Sequence, residues 1–154
     1  MNRTITKFAI PGFAIIAAAA ITLAGPGPKS ERRVINPPGA AADLPFSNGI
    51  LVGNTLYVSG QAGLVKGKLV PGGIVPETQT TLENIKGVLA LAGFQMTDVV
   101  SVNVYLADIG DFAEMTRIYK TYFPEPRPAR TTVQAGALVG NARVEISVIA
   151  VKQR

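Results

Sequence analysis

Two charged side chains sit in strand-like runs near the end of the chain, and their chemistry sets the question. Arg130 lies in Pro128-Ala-Arg-Thr-Thr-Val133 and Glu145 in Arg143-Val-Glu-Ile-Ser-Val-Ile-Ala-Val151. Both runs alternate apolar and polar residues with period two, so Arg130 shares a face with Thr132, and Glu145 shares one with Ser147. An arginine fork binds a carboxylate through two parallel charge-assisted hydrogen bonds. A glutamate across the same cleft could orient a water and take its proton. Together they would serve a small carboxylate-bearing substrate that is attacked by water. The competing reading makes them solvated strand residues or a cross-strand ion pair, worth about 0 to 1 kcal/mol when exposed.

The chain contains neither histidine nor cysteine. Ser-His triads, cysteine nucleophiles, His/Cys zinc sites and disulfides are therefore excluded. No metal or cofactor is expected. Its 154 residues are the length of one domain, with a net charge of +5 and a mean hydropathy of +0.29. Much of the apolar excess is local: Arg3 and Lys7 precede an uncharged run that starts at Phe8, and Thr22-Leu-Ala24 offers small residues to a signal peptidase. Residues 1–24 are read as a secretory signal peptide, giving a periplasmic or secreted protein. The alternative is an uncleaved membrane anchor, against which Phe8 to Ala24 spans only roughly 25 Å as a helix. Cleavage removes Arg3 and Lys7 and leaves a net charge of +3. Arg32-Arg33 is the one adjacent basic pair and has no aromatic-studded stripe beside it, so no nucleic-acid partner is expected.

Residues 25–32 read as a linker and 33–154 as the folded domain. Arg33-Val-Ile35 is a short strand, and Phe46 to Val52 and Thr55 to Ser59 form a hairpin about Gly53-Asn54. Ser59-Gly-Gln61 reads as a bulge or strand exit where a ligand could approach the backbone, and Leu64 to Gly73 as a mobile loop. A helix runs from Pro76 to Ala92, capped by Gly93, with Leu82, Ile85, Val88 and Leu89 on one stripe. The strand Asp98 to Leu106 turns Val100, Val102, Val104 and Leu106 inward. Asp111-Phe-Ala-Glu114 has the pattern of a capping box before a helix whose stripe is Phe112, Met115, Ile118, Tyr119 and Tyr122. This order predicts an α+β layer with both helices on one face of a mixed sheet. The other face is expected to be polar, carrying Tyr57, Ser59, Ser101, Asn103, Tyr105, Arg130, Thr132, Glu145 and Ser147. A symmetric oligomer could enclose such faces.

From about Ile50 to Lys152 the chain resembles the reactive intermediate deaminase family, which also carries the older label of L-PSP endoribonucleases. The resemblance lies in Tyr57-Val-Ser-Gly-Gln61, Gln79-Thr-Thr-Leu-Glu-Asn84, Ala92-Gly93, Asp98-Val-Val100, Asp111-Phe112, Tyr119, Tyr122-Phe123, Pro128-Ala-Arg-Thr131 and Val144-Glu-Ile146, in that order and spacing. It implies a chorismate-mutase-like fold, a homotrimer with clefts between subunits, and hydrolysis of 2-imino acids to 2-keto acids and ammonia. By the same resemblance Arg130 clamps the substrate carboxylate and Glu145 orients the attacking water. Ser59, Gly60 and Thr132 line the cleft. The chain departs from the pattern at Phe46, where deaminases usually have tyrosine, and at Thr132, where several members have cysteine. Thr116 replaces a common asparagine and Val139 a common proline. Rival expectations are a trimer that binds small ligands without turnover, a chaperone-like role, and an endoribonuclease, for which histidine and a strong basic patch are missing.

Overall fold

A computed structural model describes residues 31–41 and 43–153. The expected signal peptide and nearly all of the linker lie outside these residues. Among the described residues, no helix is long and apolar enough to cross a membrane.

The sheet has six strands: β1 (Arg32–Ile35), β2 (Gly49–Val52), β3 (Thr55–Ala62), β6 (Val99–Leu106), β7 (Ala129–Gln134) and β8 (Val144–Val151). Their spatial order is β1-β2-β3-β8-β6-β7. Only β6 and β7 run parallel, because α2 (Phe112–Tyr122) supplies the crossover between them. The helix α1 (Ile74–Leu91) packs over β3 and β8 and against α2, so both helices cover one face. Leu56, Val58, Val102, Val104, Leu106, Val144, Ile146 and Val148 point into that layer and meet Leu82, Ile85, Leu89, Met115 and Ile118 in one core. The expected mixed sheet with two helices on one face is therefore present.

Four local features differ from the pattern read in the sequence. The expected loop after Gly63 contains a hairpin, β4 (Leu64–Val65) and β5 (Lys68–Leu69), turned by Lys66 at φ 50° and Gly67 at φ 75°. Two consecutive positive φ values are what a tight two-residue hairpin requires. In β6 a bulge between Val99 and Ser101 makes Val100 the extra residue, so Val99 is buried and Val100 is 48 % exposed. Phe112 is also exposed rather than part of the core stripe. The capping box does not form: Asp111 stands at the N-cap with no side-chain cap bond. Its carboxylate instead accepts two hydrogen bonds from the Arg143 guanidinium, both 2.8 Å, while Glu114 pairs with Arg117.

The C-terminal end of α1 follows its sequence signal closely. Gly93 takes φ 79°, the Gly93 N–H donates to Ala90 O and the Phe94 N–H to Leu89 O, and Phe94 is buried over the last turn. At the other end Glu77 is buried on the first turn of α1 and its Oε2 accepts the Arg143 backbone N–H at 2.7 Å. That bond ties α1 to the start of β8. Replacing Glu77 with Ala should cost about 1 to 3 kcal/mol in urea-induced unfolding, because a part-buried N–H loses its acceptor; unchanged stability would show that water satisfies this group equally well.

Candidate functional site

The two charges singled out from the sequence lie on opposite faces of the sheet. Register explains why. Arg130 on β7 is level with Val102 of β6, and Thr132 with Val104, so both share the helix-covered face. Glu145 on β8 is level with Tyr105 and Ser147 with Asn103, which places them on the open face. The expectation that Arg130 and Thr132 join the open polar face is thus corrected; Ala129, Thr131 and Val133 occupy it instead. The side chains miss each other by the sheet's thickness and by about 10 Å along it, at 3.3 Å per residue. A cross-strand Arg130–Glu145 ion pair is ruled out by the same geometry, and neither residue makes any ion pair among the described residues.

Arg130 lines a cleft of about 150 Å³ with Thr116, Tyr119, Lys120, Arg127 and Pro128. Its guanidinium carbon lies 4.7 Å from the Tyr119 ring centroid and 5.4 Å from that of Phe112. Two aromatic faces thereby fix the arginine's fork without neutralising it. Arg127 is paired with Glu125, but no carboxylate lines the cleft itself, where three cations converge. The cleft therefore carries an excess of positive charge. Thr132 lies on the same side, and its Oγ1 is buried without a hydrogen-bond partner.

The Glu145 half of the site is organised by a bulge in β3. Val58 pairs with Val148 and Gln61 with Ile146, so Ser59 and Gly60 together face Ser147. This extra residue presses the Gly60 backbone against the Glu145 side chain. A Cβ at Gly60 would stand 2.8 Å from Cδ and 3.0 Å from Cγ of Glu145 and overlap Oε1. The Ser59 hydroxyl donates to Asn48 O at 3.2 Å, and the Gln61 amide is within 3.4 Å of that hydroxyl. Phe46 is half exposed in the loop before β2 and does not line the Arg130 cleft.

The predicted residues thus fall into two constellations, Arg130 with Thr132 and Glu145 with Gly60, with Ser59 beside the second and Phe46 apart. The sequence reading did not single out Thr116, Lys120 and Arg127 as cleft residues, and Tyr119, which it placed in the core stripe, belongs to the core and also lines the cleft. The available signal was an arginine on an edge strand beside a helix whose stripe carries a phenol.

The chain is thus an α+β protein with a cationic cleft under one edge of its sheet and an unpaired carboxylate on the open face. The comparisons identify the class further. Residues 36–152 match the family described as Endoribonuclease L-PSP, and the chain belongs to that family. The 2-iminobutanoate/2-iminopropanoate deaminase of Capra hircus is 45 % identical over 124 residues, covering 79 % of this chain and 90 % of its own. The Homo sapiens deaminase of the same name is 42 % identical over 126 residues, with coverage of 79 % and 90 %. Among solved structures, the YjgF gene product from E. coli superposes with a TM-score of 0.73 at 30 % identity, covering 79 % of this chain and 99 % of that one. E. coli TdcF with bound serine gives 0.72 at 29 %, with the same coverage.

Substituting Gly60 with Ala should displace the Glu145 carboxylate while the strand stays paired, because the collision involves a side chain. The expected outcome is a folded protein, by circular dichroism, whose turnover falls at least about 10-fold. Full turnover in the Ala variant would show that the carboxylate's position is not held by this contact.

Proposed function

We propose that this protein is a hydrolase that converts 2-imino acids to 2-keto acids and ammonia, working in clefts between the subunits of a homotrimer. The observation that carries the reading is the separation of Arg130 from Glu145. Each is unpaired, each is suited to one half of the chemistry, and one chain cannot apply both to the same small molecule. Two copies can, if the Arg130 side of one subunit faces the Glu145 side of its neighbour. Trimeric assembly is typical of the family, and the relatives' names supply the substrate class.

The steps follow from the residues. Arg130 takes the substrate carboxylate through its fork and holds C2 of the imine against a water. Glu145 accepts a proton from that water as its oxygen attacks C2, giving a tetrahedral amino alcohol. Glu145 returns that proton to the nitrogen to complete the amino alcohol; it then relays the hydroxyl proton to the nitrogen, so that the C–N bond breaks, the C2 carbonyl forms and ammonia leaves. Gly60 leaves room for the carboxylate of Glu145, and Thr132 and Ser59 border the two halves. Phe46 lacks the phenol usual at its position, so the reaction is assigned no hydroxyl from that loop. An RNA-cleaving activity is less favoured, because the chain lacks histidine and three clustered cations do not form a phosphate track. We also propose that residues 1–24 direct export, with the mature chain beginning near Gly25 in the periplasm or outside the cell. N-terminal sequencing of the native protein should find that start; a product retaining Met1 would identify a membrane anchor or an unprocessed protein.

Arg130→Ala and Glu145→Gln homotrimers should each lose activity, by about 30- to 1000-fold in kcat/KM for the first and at least about 100-fold in kcat for the second. Binding of 2-oxobutanoate should weaken in the arginine variant only. Co-expressing the two variants should restore activity, since in mixed trimers roughly a quarter of the clefts receive an intact arginine and an intact glutamate from adjacent chains. Failure of complementation, with mixed trimers verified by mass, would place both groups in one chain's site or remove one of them from the reaction.

A further inference from the structure

The proposed reaction uses one of the three cations that line the cleft beneath α2. Arg130, Lys120 and Arg127 all border it, and no acidic side chain does. Arg127 is paired with Glu125, whereas Arg130 and Lys120 make no ion pair among the described residues. Tyr119 on the same wall registers the crowding of charge: burial raises its phenol above the ordinary value against the opposing pull of Arg130 and then of Arg127. Lys120 stands in the last turn of α2, where the helix dipole favours a cation. Any exposed side of that turn would serve the dipole, so its place on the cleft wall asks for a second account.

A substrate with a single carboxylate leaves this cleft unbalanced. The Arg130 fork takes both oxygens of that group, Glu125 holds Arg127, and the Lys120 ammonium still lacks a counter-charge. A second carboxylate on the same molecule supplies one. The cleft of about 150 Å³ has the volume of about five waters at about 30 Å³ each, so two charged ends of a short chain stay close to its wall. The flexible four-carbon stem of lysine lets the ammonium follow a group within a space of that size. Repulsion sets the direction from the other side: in the assembly proposed above, the neighbour's Glu145 turns a second carboxylate back toward the cations.

Building on the reading of Arg130 as the carboxylate clamp of an imine hydrolase, we propose that the preferred substrates are 2-imino dicarboxylic acids, the imines of acidic amino acids, and that Lys120 binds their distal carboxylate. The reaction itself is unchanged: water adds at C2, ammonia leaves, and the distal carboxylate makes and breaks no bond. Lys120 sets specificity because only the dicarboxylate gains a charge-assisted contact from it. Lys120 is exposed, so this attraction is open to screening by salt.

The test compares the two product classes on the full-length assembled protein. Calorimetric titration at low salt should give a Kd for 2-oxoglutarate about 10-fold below that for 2-oxobutanoate. The difference should shrink as sodium chloride is added. Lys120→Gln should abolish it and Lys120→Arg should retain it. The ratio of kcat/KM for 2-iminoglutarate to that for 2-iminobutanoate, each generated in the assay by an amino-acid oxidase, should change in parallel. A lysine that serves only the helix end predicts instead a lowered melting temperature in Lys120→Gln with equal changes for both ligands, and that result would overturn the proposal. A preference for the dicarboxylate that survives in Lys120→Gln would equally take the distal group away from Lys120. Should this variant fold poorly, the wild-type Kd ratio and its salt dependence still decide, since equal affinity for the two keto acids overturns the proposal by itself. Hydrolysis of 2-iminobutanoate without any preference for 2-iminoglutarate would overturn it while leaving the deaminase reading intact. A preference for 2-oxoglutarate that Lys120→Gln removes, in a wild type that hydrolyses neither imine, would support the contact and remove the deaminase reading.

Discussion

The alternation of side chains across a pleated sheet is the constraint on which this protein's chemistry depends. Successive residues of a strand point to opposite faces, so the register of β7 and β8 against β6 decides which charges can meet. Arg130 is level with Val102 and therefore turns beneath α2, whereas Glu145 is level with Tyr105 and turns away from both helices. Shifting β8 by one residue would turn Glu145 toward the helices, and it would also drive Val144, Ile146 and Val148 out of the core. The hydrophobic pattern that stabilises the sheet thus also holds Arg130 and Glu145 apart.

This separation would give the proposed oligomer a chemical purpose. Each chain presents a cationic cleft at one edge and a carboxylate on the open sheet, and Arg130 and Glu145 form no ion pair within the described residues. In the proposed assembly the guanidinium approaches the neighbour's carboxylate only across a bound substrate. A direct pair within the chain would be an inert surface ion pair worth little in stability. Stacking on Tyr119 and Phe112 fixes the arginine by its planar face and leaves its donor edge available, which is a role lysine could not fill.

The two β-bulges act on opposite sides of β8. That between β3 and β8 presses Gly60 against Glu145 and directs the carboxylate. The other, in β6, lets Val99 and Val102 both face the core and expels Val100. Arg143 is equally placed to serve structure: its backbone N–H anchors on buried Glu77, and its guanidinium takes the Asp111 carboxylate that the sequence assigned to a helix cap. The guanidinium fork engages both carboxylate oxygens at once, where a cap bond to a backbone N–H uses one, so the capping pattern yields to the tertiary contact.

By itself the sequence determined the element order, the helix-facing core and the identity of the two charges. Period-two and helical patterns are local consequences of backbone geometry, and the Gly93 cap is legible because only a residue tolerant of positive φ closes α1 in that way. It also exposed the absence of histidine and cysteine, which removed whole classes of chemistry. Only the tertiary structure decided which face each charge takes, because period two gives parity within a strand but says nothing about the register between strands distant in the chain. Only it could show that Tyr119 serves a cleft as well as the core, since a helical stripe records which residues point toward the sheet and not what stands on the sheet opposite them. There stands Arg130, brought beneath α2 by the parallel crossover that returns the chain to the sheet beside β6.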